Sequence, residues 1–405
     1  MIVMLTKQIR LTKELVAQLQ ALVDSGIYPN LSEAVRDAVR RMVTGTTSKV
    51  MPIESKERKA IEKAASEIKK QFQNPTGTTD FYPEEEAIKL NIFNRLRKTA
   101  ENFGFKEVDV PIIETLDLLK AKQGQEITSQ IFTIEKKSDE ELAIRAEFTP
   151  SLARMFVAKQ KALAKPVKWF CINKVLRYER PQKGRLREFF QFNCEIYGSA
   201  KPEADAECIN LITASLKSLG LTDSDFVIKL NNRKLMQGLL EELIGKEKIN
   251  DFLSLLDKRA KITEAEFSQR LGELGITIDL DKFLNSTLDN LETQNETAKQ
   301  GIEELKGILS LVDKNIVKFD IETVRGLAYY TGTVFEVYDK EEKYRSIAGG
   351  GRYDQMIELF KGEPTAATGF GLGYATLSLL LEDRNLVPVP DTSPDYFIAI
   401  VNNEV

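Results

Sequence analysis

Residues 169–176 and 189–197 are two runs of strand-forming side chains joined by twelve mostly charged ones, RYERPQKGRLRE. This short join constrains the fold more than any other feature. Pro181 and Gly184 keep it from forming a crossover helix, so the two runs pair as an antiparallel hairpin with its tip at 181–186. Side chains alternate across a strand, which sets Gln191, Asn193 and Glu195 on one face as a polar row along a sheet surface. Arg177, Arg180, Lys183, Arg185 and Arg187 crowd the stems and tip together with the carboxylates Glu179 and Glu188. Such a set suits a ligand that carries both phosphate and an amine.

The neighbouring pattern extends this hairpin into a domain over 74–388. Helical periodicity covers 84–103 and 204–219, strand-like runs lie at 105–111 and 131–134, and alternating runs at 334–338 and 344–348 precede a short helix near 353–360. Residues 238–315 form a polar helical insertion between the strand-rich halves. Consecutive antiparallel strands flanked by helices predict an α+β fold rather than a βαβ arrangement. A GxGxxG loop after a first strand is missing, so phosphate recognition does not rest on a glycine loop.

Composition then narrows the chemistry. The 405 residues contain no histidine, which excludes Ser-His-Asp and Cys-His nucleophiles, an imidazole base and His-ligated zinc. Proton chemistry must use carboxylates, Tyr, Lys or the substrate itself. A net charge of −4 leaves any polyanion to local basic patches. Cys171, Cys194 and Cys208 include no CxxC pair, so neither a disulfide framework nor a cysteine metal site is expected, and the reducing cytoplasm is the natural compartment. A secretion signal is not expected, because MIVMLTKQIR lacks an uninterrupted apolar core, and neither is a membrane span, because no apolar run reaches about 18 residues.

Residues 1–44 follow a separate pattern. Leu5, Ile9 and Leu11 alternate with Thr6, Gln8 and Arg10 as in a strand, a helix follows from residue 13 to about 23, and GIYPN breaks it. Ser32 is the expected N-cap of a second helix over 33–42. So small a unit cannot bury a core alone, so it is expected to dimerise. The phrase NLSEAVRDAVRRM resembles the ribbon-helix-helix modules of small bacterial repressors. That resemblance implies that Thr6, Gln8 and Arg10 face the DNA major groove and that the second helix meets a phosphate. The excess charge of +3 over residues 1–50 has the right sign for DNA; a dimerisation handle is the other reading. Residues 45–73 are rich in Lys, Glu and Ala, as in a solvated helical linker.

The hairpin sequence resembles motif 2 of the class II aminoacyl-tRNA synthetases, and other segments narrow the likeness to the histidyl-tRNA synthetases. TGTTDFYP at 76–83, RAEFTPSLAR at 145–154, NNRK at 231–234, VRGLAYYTG at 324–332, GGGRYD at 349–354 and GFGLG at 369–373 occur in that family's order. The resemblance implies a histidine–tRNA ligase that joins histidine to Mg²⁺-bound ATP and passes the histidyl group to tRNA(His). It assigns Arg177 and Arg325 to the α-phosphate and carboxylate, Glu179, Arg185 and Arg352 to ATP, and Glu147, Thr149 and Gln191 to the substrate amine. Glu195, Tyr329 and Tyr330 fall to the imidazole, while Arg180 and Gln182 fall to the tRNA acceptor end. No tightly bound cofactor or protein-fixed metal is expected, and a homodimer is.

Two departures accompany the likeness. Thr376 stands where the family has an ATP-binding arginine, so either Arg352 or another basic group compensates or ATP binding is weakened. Residues 389–405 match only the start of the family's anticodon-binding domain. A catalytically silent paralogue, the regulatory subunit of ATP phosphoribosyltransferase, is the competing implication. A ligase without histidine would also stay translatable when charged histidyl-tRNA runs short; an accident of composition is the other reading.

Overall fold

The computed structural model describes residues 13–31, 33–35, 73–121, 129–136, 139–259, 262–324 and 330–388. The chain divides into two compact units, 1–73 and 74–405.

In the first unit a helix spans Lys13–Asp24, and Gly26 turns the chain with φ +75°. The second helix starts earlier than expected. Asn30 Oδ1 accepts the Glu33 amide at 3.0 Å and Asn30 O accepts the Ala34 amide, so Asn30 holds the N-cap position expected for Ser32. The strand carrying Thr6, Gln8 and Arg10 lies outside the described residues.

The second unit is built on an eight-stranded sheet in the order β1-β4-β5-β10-β9-β8-β6-β7. Its strands are β1 (Lys106–Glu107), β4 (Val167–Leu176), β5 (Glu188–Tyr197), β6 (Phe226–Asn232), β7 (Val317–Phe319), β8 (Thr333–Asp339), β9 (Ala348–Arg352) and β10 (Ala367–Gly373). A separate pair is made by β2 (Ile113–Thr115) and β3 (Leu142–Ile144). The six inner strands pair antiparallel, as expected. Both outermost pairs, β1 with β4 and β6 with β7, are parallel, so the sheet is mixed. The strand expected at 344–348 is displaced to β9, because the chain pairs through its glycines instead of the run before them.

One face of the sheet is apolar. Phe170, Phe192, Cys194, Ile196, Phe370 and Leu372 pack there with the helices Pro83–Asn102 and Pro202–Ser218 in the main core. Each Å² of apolar surface that this layer removes from water favours the fold by about 25 cal/mol. The three thiols are buried, and burial pushes each of them well above the usual range, so they act as small apolar side chains.

Candidate active site

The opposite face of the sheet carries the polar row. Cross-strand partners point to the same face, and the register puts Glu195, Gly369, Gly351 and Val334 in one row across four strands, with Asn193, Gly371, Gly349 and Glu336 in the next. The glycines therefore form a bare floor between the β5 side chains on one side and β8 on the other. A Cβ on Gly369 would collide with the Glu195 carboxylate, and one on Gly371 with the Gln191 amide. The floor is bare because the side chains beside it lean over it.

Glu195 and Asn193 are almost fully buried, and Asn193 Nδ2 donates to Glu195 Oε1 at 2.8 Å, which fixes the carboxylate's orientation. Tyr330 lies over the other end of the same row, since a Cβ on Gly351 would stand 2.9 Å from its ring. A carboxylate thus lies over Gly369 and a tyrosine ring over Gly351, at neighbouring positions of one row. Glu336 closes the neighbouring row and accepts from Tyr338 Oη at 2.9 Å. The sequence reading missed both Glu336 and the floor. The alternation of GFGLG was the available signal, because Gly369, Gly371 and Gly373 fall on one face while Phe370 and Leu372 enter the core.

The basic end of the site is assembled where the hairpin leaves the sheet. Arg177 Nε donates to Ala146 O at 2.9 Å, and the Leu176 amide donates to Arg145 O at 3.0 Å. These bonds hold residues 145–149, with Glu147 and Thr149, beside Arg177. Thr149 opens the helix Thr149–Lys159. Arg145 is structural: its guanidinium is buried, donates to Lys174 O and Pro111 O at 3.0 Å, and is pushed below its usual range by burial. Arg185 forms an ion pair with Glu179, Arg187 Nε donates to Glu179 O, and the Arg187 guanidinium lies 4.3 Å from the Tyr178 ring. Arg180 and Gln182 sit exposed at the tip. At the base, the Arg187 amide donates to Gly77 O at 2.8 Å, which ties the TGTTDFYP segment to the hairpin.

Arg352 does not belong to this face. One residue beyond Gly351 on a strand, it points to the helical side and is only 4% exposed. It donates to Asp205 Oδ2 at 2.8 and 3.0 Å, to Asp354 Oδ1 at 3.1 Å and to Ser199 O at 2.9 Å. The expected ATP contact is therefore corrected to a structural role. Arg325 and Tyr329 lie outside the described residues. The chain on either side of them is anchored: Asn231 Nδ2 donates to Ile321 O and Thr323 O at 3.0 and 3.1 Å, and the Thr331 amide donates to Arg352 O at 2.7 Å. Among the described residues, no group of three or more Asp, Glu or Cys side chains is placed to hold a metal ion.

A sequence profile described as histidyl-tRNA synthetase matches residues 77–377. The chain belongs to the histidyl-tRNA synthetase family. It is 36% identical to a histidine–tRNA ligase of Haloarcula marismortui over 82% of this chain and 80% of that one. A histidine–tRNA ligase of Opitutus terrae is 40% identical over 81% and 79% of the two chains. A crystal structure of a Nostoc histidyl-tRNA synthetase superposes on this fold with a TM-score of 0.68 at 26% identity, covering 78% of this chain and 77% of that one. The synthetase fold is shared as well by a Bacillus halodurans protein described as an ATP phosphoribosyltransferase regulatory subunit/histidyl-tRNA synthetase. That likeness has a TM-score of 0.67 at 24% identity and covers 78% and 83% of the two chains.

Proposed function

We propose that the chain is a histidine–tRNA ligase whose imidazole pocket is the gap between Glu195 and Tyr330. The row Glu195–Gly369–Gly351, with the Tyr330 ring over Gly351, carries this reading, because it brings a buried carboxylate and a tyrosine to neighbouring glycines that have no side chains of their own. Relatives between 35% and 40% identical bear the ligase name, which favours the ligase over the regulatory paralogue.

The substrate carboxylate is already a nucleophile, so activation needs no general base. It attacks the α-phosphorus and pyrophosphate leaves, while Arg177 and Arg325 stabilise the charge that builds on the phosphoryl oxygens. Glu147, Thr149 and Gln191 accept from the cationic amine, and Tyr329 lies beside the imidazole. Glu179 and Arg185 meet the nucleotide, which enters as its Mg²⁺ complex. The 3′ end of tRNA(His), met by Arg180 and Gln182, then takes the histidyl group. We assign the assembly as a cytoplasmic homodimer, in keeping with the exposed Ile112 and Ile113. Residues 1–44 add a DNA-binding or dimerising module.

Histidine-dependent ATP–pyrophosphate exchange tests the reading: no exchange at saturating ATP would sink it. Arg325→Ala is expected to slow exchange by about 10²–10³-fold with histidine binding partly kept, as measured by equilibrium titration. For Gly371→Ala, a new methyl group would displace Gln191 without touching backbone, since the atoms nearest it are Gln191 Nε2, Gln191 Cδ and Asn193 Oδ1. Steady-state kinetics should then give a histidine KM raised roughly tenfold or more, the value of one good hydrogen bond to a charge, at an unchanged ATP KM.

A further inference from the structure

The polar row of β5 does not end at Glu195. Tyr197, two residues on, takes the same face, and its cross-strand partner on β10 is Ala367, where the glycine floor of Gly373, Gly371 and Gly369 stops. The Tyr197 ring is fully buried and held from two sides. It stacks on Phe156 of the helix Thr149–Lys159 with centroids 4.5 Å apart, and it meets Trp169, the β4 partner of Glu195, edge-on at 6.0 Å. These contacts use the ring alone, and the hydroxyl makes no hydrogen bond with any described residue. A buried hydroxyl in that state costs its desolvation, whereas a phenylalanine would keep both ring contacts without that cost. Burial pushes the hydroxyl well above its usual range, with the Glu195 charge adding to the push, so it remains a proton donor beside a carboxylate.

We infer that Tyr197 is a positioning residue for histidine recognition: its hydroxyl donates to Glu195 as the imidazole enters, and holds the carboxylate from the side opposite Asn193. This rests on the ligase reading for its substrate and on the β5 row alone for its geometry. Asn193 and Tyr197 flank Glu195 along the strand. Asn193 Nδ2 takes Oε1 at 2.8 Å, while Oε2 stands over Gly369, the floor position next to the Tyr197–Ala367 row. Donors on both sides leave the carboxylate one orientation from which to accept the ring N–H. The hydroxyl is already stripped of water in the free chain, so the bond it makes in the complex counts fully towards affinity for histidine.

The test compares Tyr197→Phe with the wild-type chain in equilibrium titration with histidine, in pyrophosphate exchange and in thermal melts. The expected result is a histidine Kd and KM raised about tenfold, the value of a hydrogen bond to a charged group, with kcat and the ATP KM within twofold. The free variant should melt no lower than wild type, because only an unbonded hydroxyl is removed, and histidine should raise its melting temperature less. A histidine Kd within twofold of wild type overturns the inference. So does a free variant that melts several degrees lower, since the hydroxyl would then serve the fold. If the wild-type chain binds no histidine, the ligase reading fails and takes the inference with it; wild-type binding with an unchanged Kd in the variant removes the inference alone.

Discussion

Glu195→Gln is expected to lower kcat/KM for histidine in pyrophosphate exchange by on the order of 10⁴-fold, with the ATP KM and the melting temperature close to wild type. A site that reads a ring N–H through a buried acceptor loses more than one hydrogen bond when that acceptor changes, because the ring nitrogen is left desolvated and unpaired. The surroundings make Glu195 intolerant of the amide. Asn193 Nδ2 donates to Oε1 at 2.8 Å, so a glutamine must keep its oxygen towards Asn193 and turn its NH₂ into the pocket. There it would be a donor facing a donor. Gly369 lies beneath it and Glu195 is 1% exposed, so with the imidazole in place water does not reach the mismatch. Exchange kinetics over a histidine titration check this, and a loss below tenfold would place the imidazole elsewhere.

Arg352→Met should destabilise the fold by about 3–5 kcal/mol, a large part of the ~5–15 kcal/mol that holds a typical domain together. The cost comes from Asp205, which is 2% exposed and would stay buried with its guanidinium partner gone. Burial already pushes the Asp205 carboxyl above its usual range, against the opposing pull of Arg352. Without that pull the folded-state value rises further above the unfolded one. A protonated Asp205 then carries no penalty below the ordinary carboxyl range near about 4, and the penalty grows as pH rises through the raised value. Denaturant melts should therefore show the gap between variant and wild type widening from pH 4 to pH 7. In the folded variant the ATP KM should stay within twofold of wild type; a tenfold rise would return Arg352 to the nucleotide.

Several parts of the site were legible from strand period alone. The hairpin turns where Pro181 and Gly184 predict, and Gln191, Asn193 and Glu195 share a face because alternation is a backbone property that tertiary packing does not change. Arg352 was misjudged by a phase of one residue: counting from Gly351 would have put it on the helical face. The displaced strand at 348–352 has a related cause, since glycine runs carry little strand propensity and pair here because close approach is what the floor needs. Asn30 was overlooked because Ser32 is an equally good cap in isolation, and only the bond to Glu33 tells them apart. The parallel edges β1–β4 and β6–β7 could not be read, since strand partners that are distant in sequence leave no local mark.

The two anchors around residues 325–329 have a consequence for engineering. Asn231 grips the chain before that stretch and Arg352 O receives it afterwards, and the side chains of both are fixed by bonds to carbonyls or to Asp205. The clamps on Ile321, Thr323 and Thr331 thus belong to the frame. A library for other side chains can vary residues 326–329 while Asn231, Arg325, Thr331 and Arg352 are held constant.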